Sequence, residues 1–321
     1  MKRRIKLGTI LIIIGMIGIL YAIVSGGKSP LAGLSSFFMT DVNQERTIDV
    51  SEAEELVINS KSINVEVVQG TGAEALVAIK GKASKNIANQ LKINAEQSGN
   101  QLTIDPNQPK GISFGFIGNQ VTMTVALPEK QWKQVQLEIS SGNLVLEQLS
   151  SEAISIDAGS GNVAIADSEL DSLSIDQGSG NMKLSNVRAN TMDLDNSSGN
   201  TKLEDYYAEH IKFHSGSGNV AISNGEGGIS GNAGSGNIVV TTDDITQDTD
   251  LKAGSGNITI KLNHAPESLA VSYDGGSGDG DILLDGFSYH GEHHHDSFEG
   301  VFGSGETTLK VRTGSGNFTL K

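Results

Sequence analysis

The chain of 321 residues contains no cysteine. That excludes a disulfide framework, thiol catalysis and a cysteine-ligated zinc site. It also removes the lipid-bearing cysteine of a bacterial lipoprotein. Proline is scarce, at 5 residues against 40 glycines, so neither a collagen helix nor a proline-rich linker fits. Aromatic residues are only 5 % of the chain, too few for an extended carbohydrate platform. Good helix formers are sparse after residue 40, where Val, Ile, Ser, Thr, Asn and Gly dominate. This is a β-rich composition. Basic charge is short too: the formal net charge is −15. Residues 1–40 hold five basic residues (Lys2, Arg3, Arg4, Lys6, Lys28) and no acidic ones, which leaves 18 basic against 38 acidic residues, a net of −20, beyond them. Such a body is repelled by nucleic acid and by anionic lipid, so no nucleic-acid partner is expected.

Long hydrophobic runs occur once. "MKRRIKLGTILIIIGMIGILYAIVSGG" places four basic residues before an uncharged run from Leu7 to Val24. About 18–20 apolar residues at 1.5 Å rise match a bilayer core. The basic flank should stay in the cytoplasm and send the rest of the chain outward. The rival is a cleaved signal peptide, whose apolar core is usually shorter. Ile23-Val24-Ser25-Gly26-Gly27 is also a poor cleavage site. The expectation is a single-pass membrane anchor over residues 1–27, a stalk over 28–46 and an extracytoplasmic remainder.

Residues 47–138 read as a β-rich lead-in unit. Ile63, Val65 and Val67 alternate, as do Val77 and Ile79, then Leu102, Ile104, Val121, Met123 and Val125. Only "SKNIANQLKI" suggests a helix. From Ser141 onward Ser-Gly-Asn recurs, with Asn143, Asn162, Asn181, Asn200, Asn219, Asn237 and Asn257 at intervals of 19, 19, 19, 19, 18 and 20. A fixed period near 20 marks a solenoid. Apolar residues follow each Asn by one and three positions, as in Val163/Ile165 and Val220/Ile222. A second pair precedes it by eight and six, as in Ile154/Ile156 and Ile211/Phe213. Each pair skips one residue, as a strand with one buried face requires. A weaker third wall contains Leu149, Leu170, Val187, Tyr206 with Ala208, and Ile245. Nineteen residues cannot hold a strand, a crossover helix and another strand. The expectation is therefore an all-β fold: a parallel β-solenoid of ~19-residue coils over residues 139–321, with apolar columns forming one narrow core. The rhythm breaks at "GSGDGDILL", where Asp279 or Asp281 takes the Asn corner. It resumes at Asn317 after an insertion near residues 285–305.

The glycine-rich motif raises several chemistries. A phosphate loop needs Gly-x4-Gly-Lys-Ser/Thr before a helix, whereas here a strand follows and Lys-Ser/Thr is missing. A calcium roll needs an acidic ligand at every turn; Asp157, Asp176 and Asp195 share one column, which then changes to His214, Asn232 and Lys252. Weak calcium binding at that edge stays open. The structural reading fits best: Gly and Asn tolerate φ > 0, and Asn143, Asn162, Asn181, Asn200, Asn219, Asn237, Asn257 and Asn317 can stack as a ladder.

On these residues the chain resembles the bacterial DUF4097 "putative adhesin" family. The resemblance rests on the anchor, the lead-in strands, "TVALPEKQWKQVQLEISSGNLVLEQL" and the serial "GSGN" corners, and covers nearly the whole chain. Within the family it is most like LiaG-type membrane-anchored envelope-stress proteins. The resemblance implies a parallel β-helical ectodomain and supplies no catalytic residues to carry over.

Two features fall outside the repeat. The loop "YHGEHHHDSFEG" gathers His290, His293, His294, His295 and Asp296, side chains that could ligate zinc, copper or nickel. Outward Asp193, Asp195, Glu204 and Asp205 are the candidates for a polysaccharide-acting β-helix enzyme, and Tyr206 and Tyr207 could stack a sugar, although Tyr206 also suits the third wall. The reading favoured by the whole is non-catalytic. It is a membrane-anchored extracytoplasmic scaffold or adhesin-like protein without a cofactor, linked to the envelope-stress response. Partners are envelope proteins or cell-wall polymer. An open last coil near Lys321 offers an edge for self-association.

Overall fold

The computed structural model describes residues 39–107, 120–291 and 294–321. The apolar run of residues 7–24, the stalk up to residue 38 and His293 lie outside them. Among the described residues no helix is long and apolar enough to cross a membrane. The one helix given there is Lys85–Gln90, inside "SKNIANQLKI".

The fold is an all-β solenoid of stacked parallel strands. Two strand columns run the length of the stack. One carries the strands before the Ser-Gly-Asn corner, such as Ser150–Ser160 and Tyr207–Ser217. The other carries those after it, such as Thr201–Glu204 and Val220–Ser223. Registers step by whole coils: Ile154 pairs Leu173, which pairs Met192, which pairs Ile211. Inward residues of successive coils therefore touch, and the core is one column of Val, Ile, Leu and Met. The third wall is buried as well, through Leu149, Leu170, Val187, Tyr206, Ala208 and Ile245. No coil can bury its apolar face alone, so the stack is its own core.

The lead-in strands are not a separate layer. Glu55–Ser60 and Asn64–Gln69 form a coil whose strands pair in parallel with Gln131–Ser141 and Leu144–Glu147 on one side. On the other side they pair with Gln101–Pro106 and Gln120–Leu127. The sequence divides these residues from the repeats because Ser-Gly-Asn occurs there once, at Ser98-Gly99-Asn100, and does not recur at a fixed interval, yet their inward alternation fits the same columns. The stalk expected over residues 28–46 also loses its end: Met39–Ile48 is a strand, antiparallel to Ala75–Ser84. At this end Trp132 is fully buried, with the Lys130 ammonium 4.1 Å from its ring centre. Lys130 also donates to the carbonyls of Val50 and Ala53, and burial pushes its pKa down.

The opposite end corrects another expectation. The coil that finishes at Lys321 is not the open end. Phe318–Leu320 pairs with Ile258–Leu262 on one side and Gly280–Ile282 on the other. Thr307–Thr313 likewise lies between Thr249–Ala253 and Leu269–Gly275. The last coil is thus slotted between two earlier ones. The insertion near residues 285–305 explains why. It folds as an antiparallel pair, Ser288–His290 with Ser297–Phe302, and the latter strand covers the outer edge of Leu269–Gly275. Phe287, Tyr289, Phe298 and Phe302 pack there as a ring cluster. With that edge taken, the chain returns inside the stack. Antiparallel caps at both ends cover parallel edges that would otherwise invite pairing.

Candidate functional site

Each coil turns at two corners, and they differ. At the first, the Asn side-chain carbonyl accepts the backbone N–H of the equivalent Asn one coil on. The chain of bonds runs Asn143–Asn162 at 2.9 Å, Asn162–Asn181 at 3.0 Å and Asn181–Asn200 at 3.1 Å. It continues through Asn219, Asn237 and Asn257 to Asn317. The ladder is longer than the repeat motif. Asn64 is an earlier rung, accepting from Asn143 N–H at 3.0 Å, and Asp279 N–H closes the other end on Asn317 at 3.0 Å. The preceding glycine is needed for close approach: a Cβ on Gly161 would lie 2.0 Å from the Gly142 carbonyl oxygen. The corner is architecture, with each Asn side-chain carbonyl from Asn64 to Asn317 engaged by the next backbone N–H.

The second corner escapes the motif search. Gln148, Asp167, Asn186, Asp205 and Asn224 all adopt φ between 51° and 56°. Asn and Asp are the non-glycine residues that best tolerate this conformation. Some bond coil to coil, as Asn186 Nδ2 to Asp167 Oδ1 at 2.7 Å and Asn224 Nδ2 to Asp205 Oδ1 at 3.3 Å. The available signal was Asp or Asn five residues after several motif asparagines.

Beside this corner a furrow runs along the third side of the stack. Its outward column is Gln131, Ser150, Glu169, Arg188, Tyr207 and Glu226, in register from coil to coil. The interior behind it is filled coil by coil by complementary pairs: Leu149 with Ser151, Ser168 with Leu170, Val187 with Ala189, Tyr206 with Ala208. In the next coil both positions are glycine, Gly225 and Gly227. The wall fails there, and a cavity of about 680 Å³ opens, lined among others by Arg188, Tyr206, Tyr207, Glu226, Asp243, Asp244 and Asn263. This is also the coil whose motif interval shortens to 18 residues. The Tyr206 ring leans over Gly225, where a Cβ would lie 2.3 Å from Cδ1. Burial pushes the Tyr206 pKa up to about 12. Tyr207 is 43 % exposed, with the Arg188 guanidinium 6.0 Å from its ring centre.

The other candidates are dispersed. His290 lies in the cap strand, while the backbone carbonyls of His295 and Asp296 accept from Gly280 and Gly275. Among the described residues no three His, Asp or Glu side chains are grouped so as to hold a metal ion. Asp157, Asp176 and Asp195 do stack in register, with Glu138 before them and His214 after. Asp193 is paired with Lys212 at 3.0 Å. Glu204 is held by Lys183 at 2.7 Å and by Lys202. Hydrogen bonds from these lysines pull its pKa down, the reverse of what a glycosidic general acid requires. Asp205 is a corner residue that accepts from Asn224.

Stacked parallel coils, an Asn ladder along one corner and an open furrow define a β-solenoid protein. The chain belongs to the Toastrack DUF4097 family, which it matches over residues 53–321. Among solved structures it is similar to a "putative adhesin" from Bacteroides fragilis, at 16 % identity and a TM-score of 0.45, covering 87 % of this chain and 97 % of that one. It is likewise similar to a "putative lipid binding protein" from Parabacteroides distasonis, at 19 % identity and a TM-score of 0.42, covering 87 % and 97 %. No curated protein matches the chain.

Proposed function

We propose that this is a non-catalytic, adhesin-like protein of the bacterial cell envelope, held at the membrane by its N-terminal apolar run. The solenoid projects outward as a stiff rod that presents its third side to an envelope partner. One observation carries the reading. The Asn ladder, the second corner and lysine–carboxylate pairs tie coil to coil, whereas the furrow keeps exposed side chains in a lengthwise column. A scaffold needs that division; a glycosidase needs two carboxyl groups at a set separation around one bond. A LiaG-like link to envelope stress belongs to the same proposal. It is tested by crosslinking intact cells with and without a cell-wall antibiotic, then isolating the full chain from the membrane fraction. Enrichment of a distinct envelope component is expected. A chain found in the soluble cytoplasm, or one that releases sugar from purified cell wall, overturns the reading.

A further inference from the structure

We propose that the break in the third wall is a binding subsite for an uncharged glycan chain; this deepens the reading above and rests on it. Three in-register residues face the opening. Arg188, Tyr207 and Glu226 occupy successive coils, about 4.8 Å apart. The middle one supplies an aromatic face, on which the C–H face of a pyranose can stack. The outer two supply a fork of donors and a pair of acceptors, the complement of vicinal hydroxyls. Among the described residues, neither the Arg188 guanidinium nor the Glu226 carboxylate has an ion pair or hydrogen bond of its own.

The inner wall adds a separate observation. Tyr206 is only 6 % exposed, lines the cavity, and its hydroxyl has no hydrogen-bond partner among the described residues. Because the residue is buried yet this oxygen still touches solvent, it can exchange water for a ligand hydroxyl. That ligand would enter over Gly227, beside the Tyr206 ring that covers Gly225. Charge then narrows the class. Glu226, Asp243 and Asp244 face one guanidinium, so phosphate-bearing polymers and uronic acids are repelled. The furrow is open along the stack, and a pyranose unit is about as long as one coil step of about 4.8 Å. A linear neutral glycan can therefore continue past Arg188 towards Glu169.

The test uses the full chain in a detergent without sugar groups. Calorimetric titration is run with N-acetylglucosamine and glucose hexasaccharides, and with a polyphosphate of similar length as the anionic control. Saturable binding of a neutral hexasaccharide is expected, with none to the anion. Tyr207→Ala should weaken it about tenfold, and Tyr207→Phe should retain it. Tyr207 is exposed, so both variants should unfold at the parent's temperature, and that measurement accompanies the titration. No binding of either neutral oligosaccharide, tighter binding of the anion, or equal affinity in Tyr207→Ala overturns the subsite. If the subsite fails while crosslinked cells still yield an envelope partner, the scaffold reading survives without it.

Discussion

The two sides of a single coil obey different rules. At the Gly-Asn corner, the backbones of successive coils approach so closely that side chains are excluded and the same three residues return from coil to coil. At the third side the chain is looser, residue types vary, and one coil goes without filling side chains altogether. Tight stacking removes freedom from the sequence, and slack stacking returns it. Chemistry that is not architecture can accumulate only where the slack is.

That contrast can be broken most severely at the corner glycine. Gly180→Ala brings a Cβ to 2.0 Å from the Gly161 carbonyl oxygen at a backbone φ of 121°. Its loss should exceed about 4 kcal/mol or prevent folding, as read by denaturant unfolding. The neighbouring glycine column sharpens the point. Gly178 occupies the position that Ser140 and Ser197 fill in other coils, and its φ is not left-handed. A Cβ there lies 2.6 Å from the Gly159 carbonyl oxygen, so Gly178→Ser should cost less than Gly180→Ala, about 2 kcal/mol. Equal effects at both glycines would mean that the approach of backbones is not the controlling term.

A smaller effect is expected in the ladder. Asn181→Ala removes the acceptor of Asn200 N–H, with a net loss of about 1 kcal/mol. Asn181→Asp keeps an acceptor and should be milder at low pH, where the carboxyl is neutral, than at pH 7. The smallest effect belongs to the outward face. Glu204 has a depressed pKa in the folded state, from hydrogen bonds with Lys183 and Lys202. Its contribution is therefore present above the unfolded value near 4.5 and disappears as pH falls through the lower folded value. Glu204→Gln should narrow the gap in melting temperature between pH 7 and pH 3; an unchanged gap would leave the pair without stabilising weight.

Much of this fold was legible because a period of 19 carries its own evidence. The apolar pairs around each Asn announced strands, and the strand positions of Ile154/Ile156 and Val163/Ile165 follow from alternation alone. Asn64 was invisible as a rung because "SINVEV" lacks the glycine that flags every later corner. The corner residues Asp167, Asn186 and Asp205 were present but silent, since Asp and Asn are common on any solvated surface. Slotting of the last coil could not be read at all. The motif spacing reports which strands are equivalent, not which equivalents are neighbours, and the 60 residues from Asn257 to Asn317 conceal a coil and its cap. The furrow was half legible: Tyr206 and Tyr207 stood out, but Gly225 and Gly227 read as turn residues rather than as a missing wall.

The slotted coil bears on the order of assembly. Its two neighbours lie on either side in space, and both precede it along the chain. This later stretch must enter a gap between segments made earlier. A stack that could otherwise grow coil by coil as the chain emerges is therefore completed only when Thr307–Leu320 is available. Closure at this end is a long-range event, paired to residues 60 positions upstream, and contacts of that separation slow folding. Until it occurs, strands Thr249–Ala253 and Ile258–Leu262 present bare edges. The final residues act as a latch whose timing decides how long the unfinished rod is vulnerable to pairing with its neighbours.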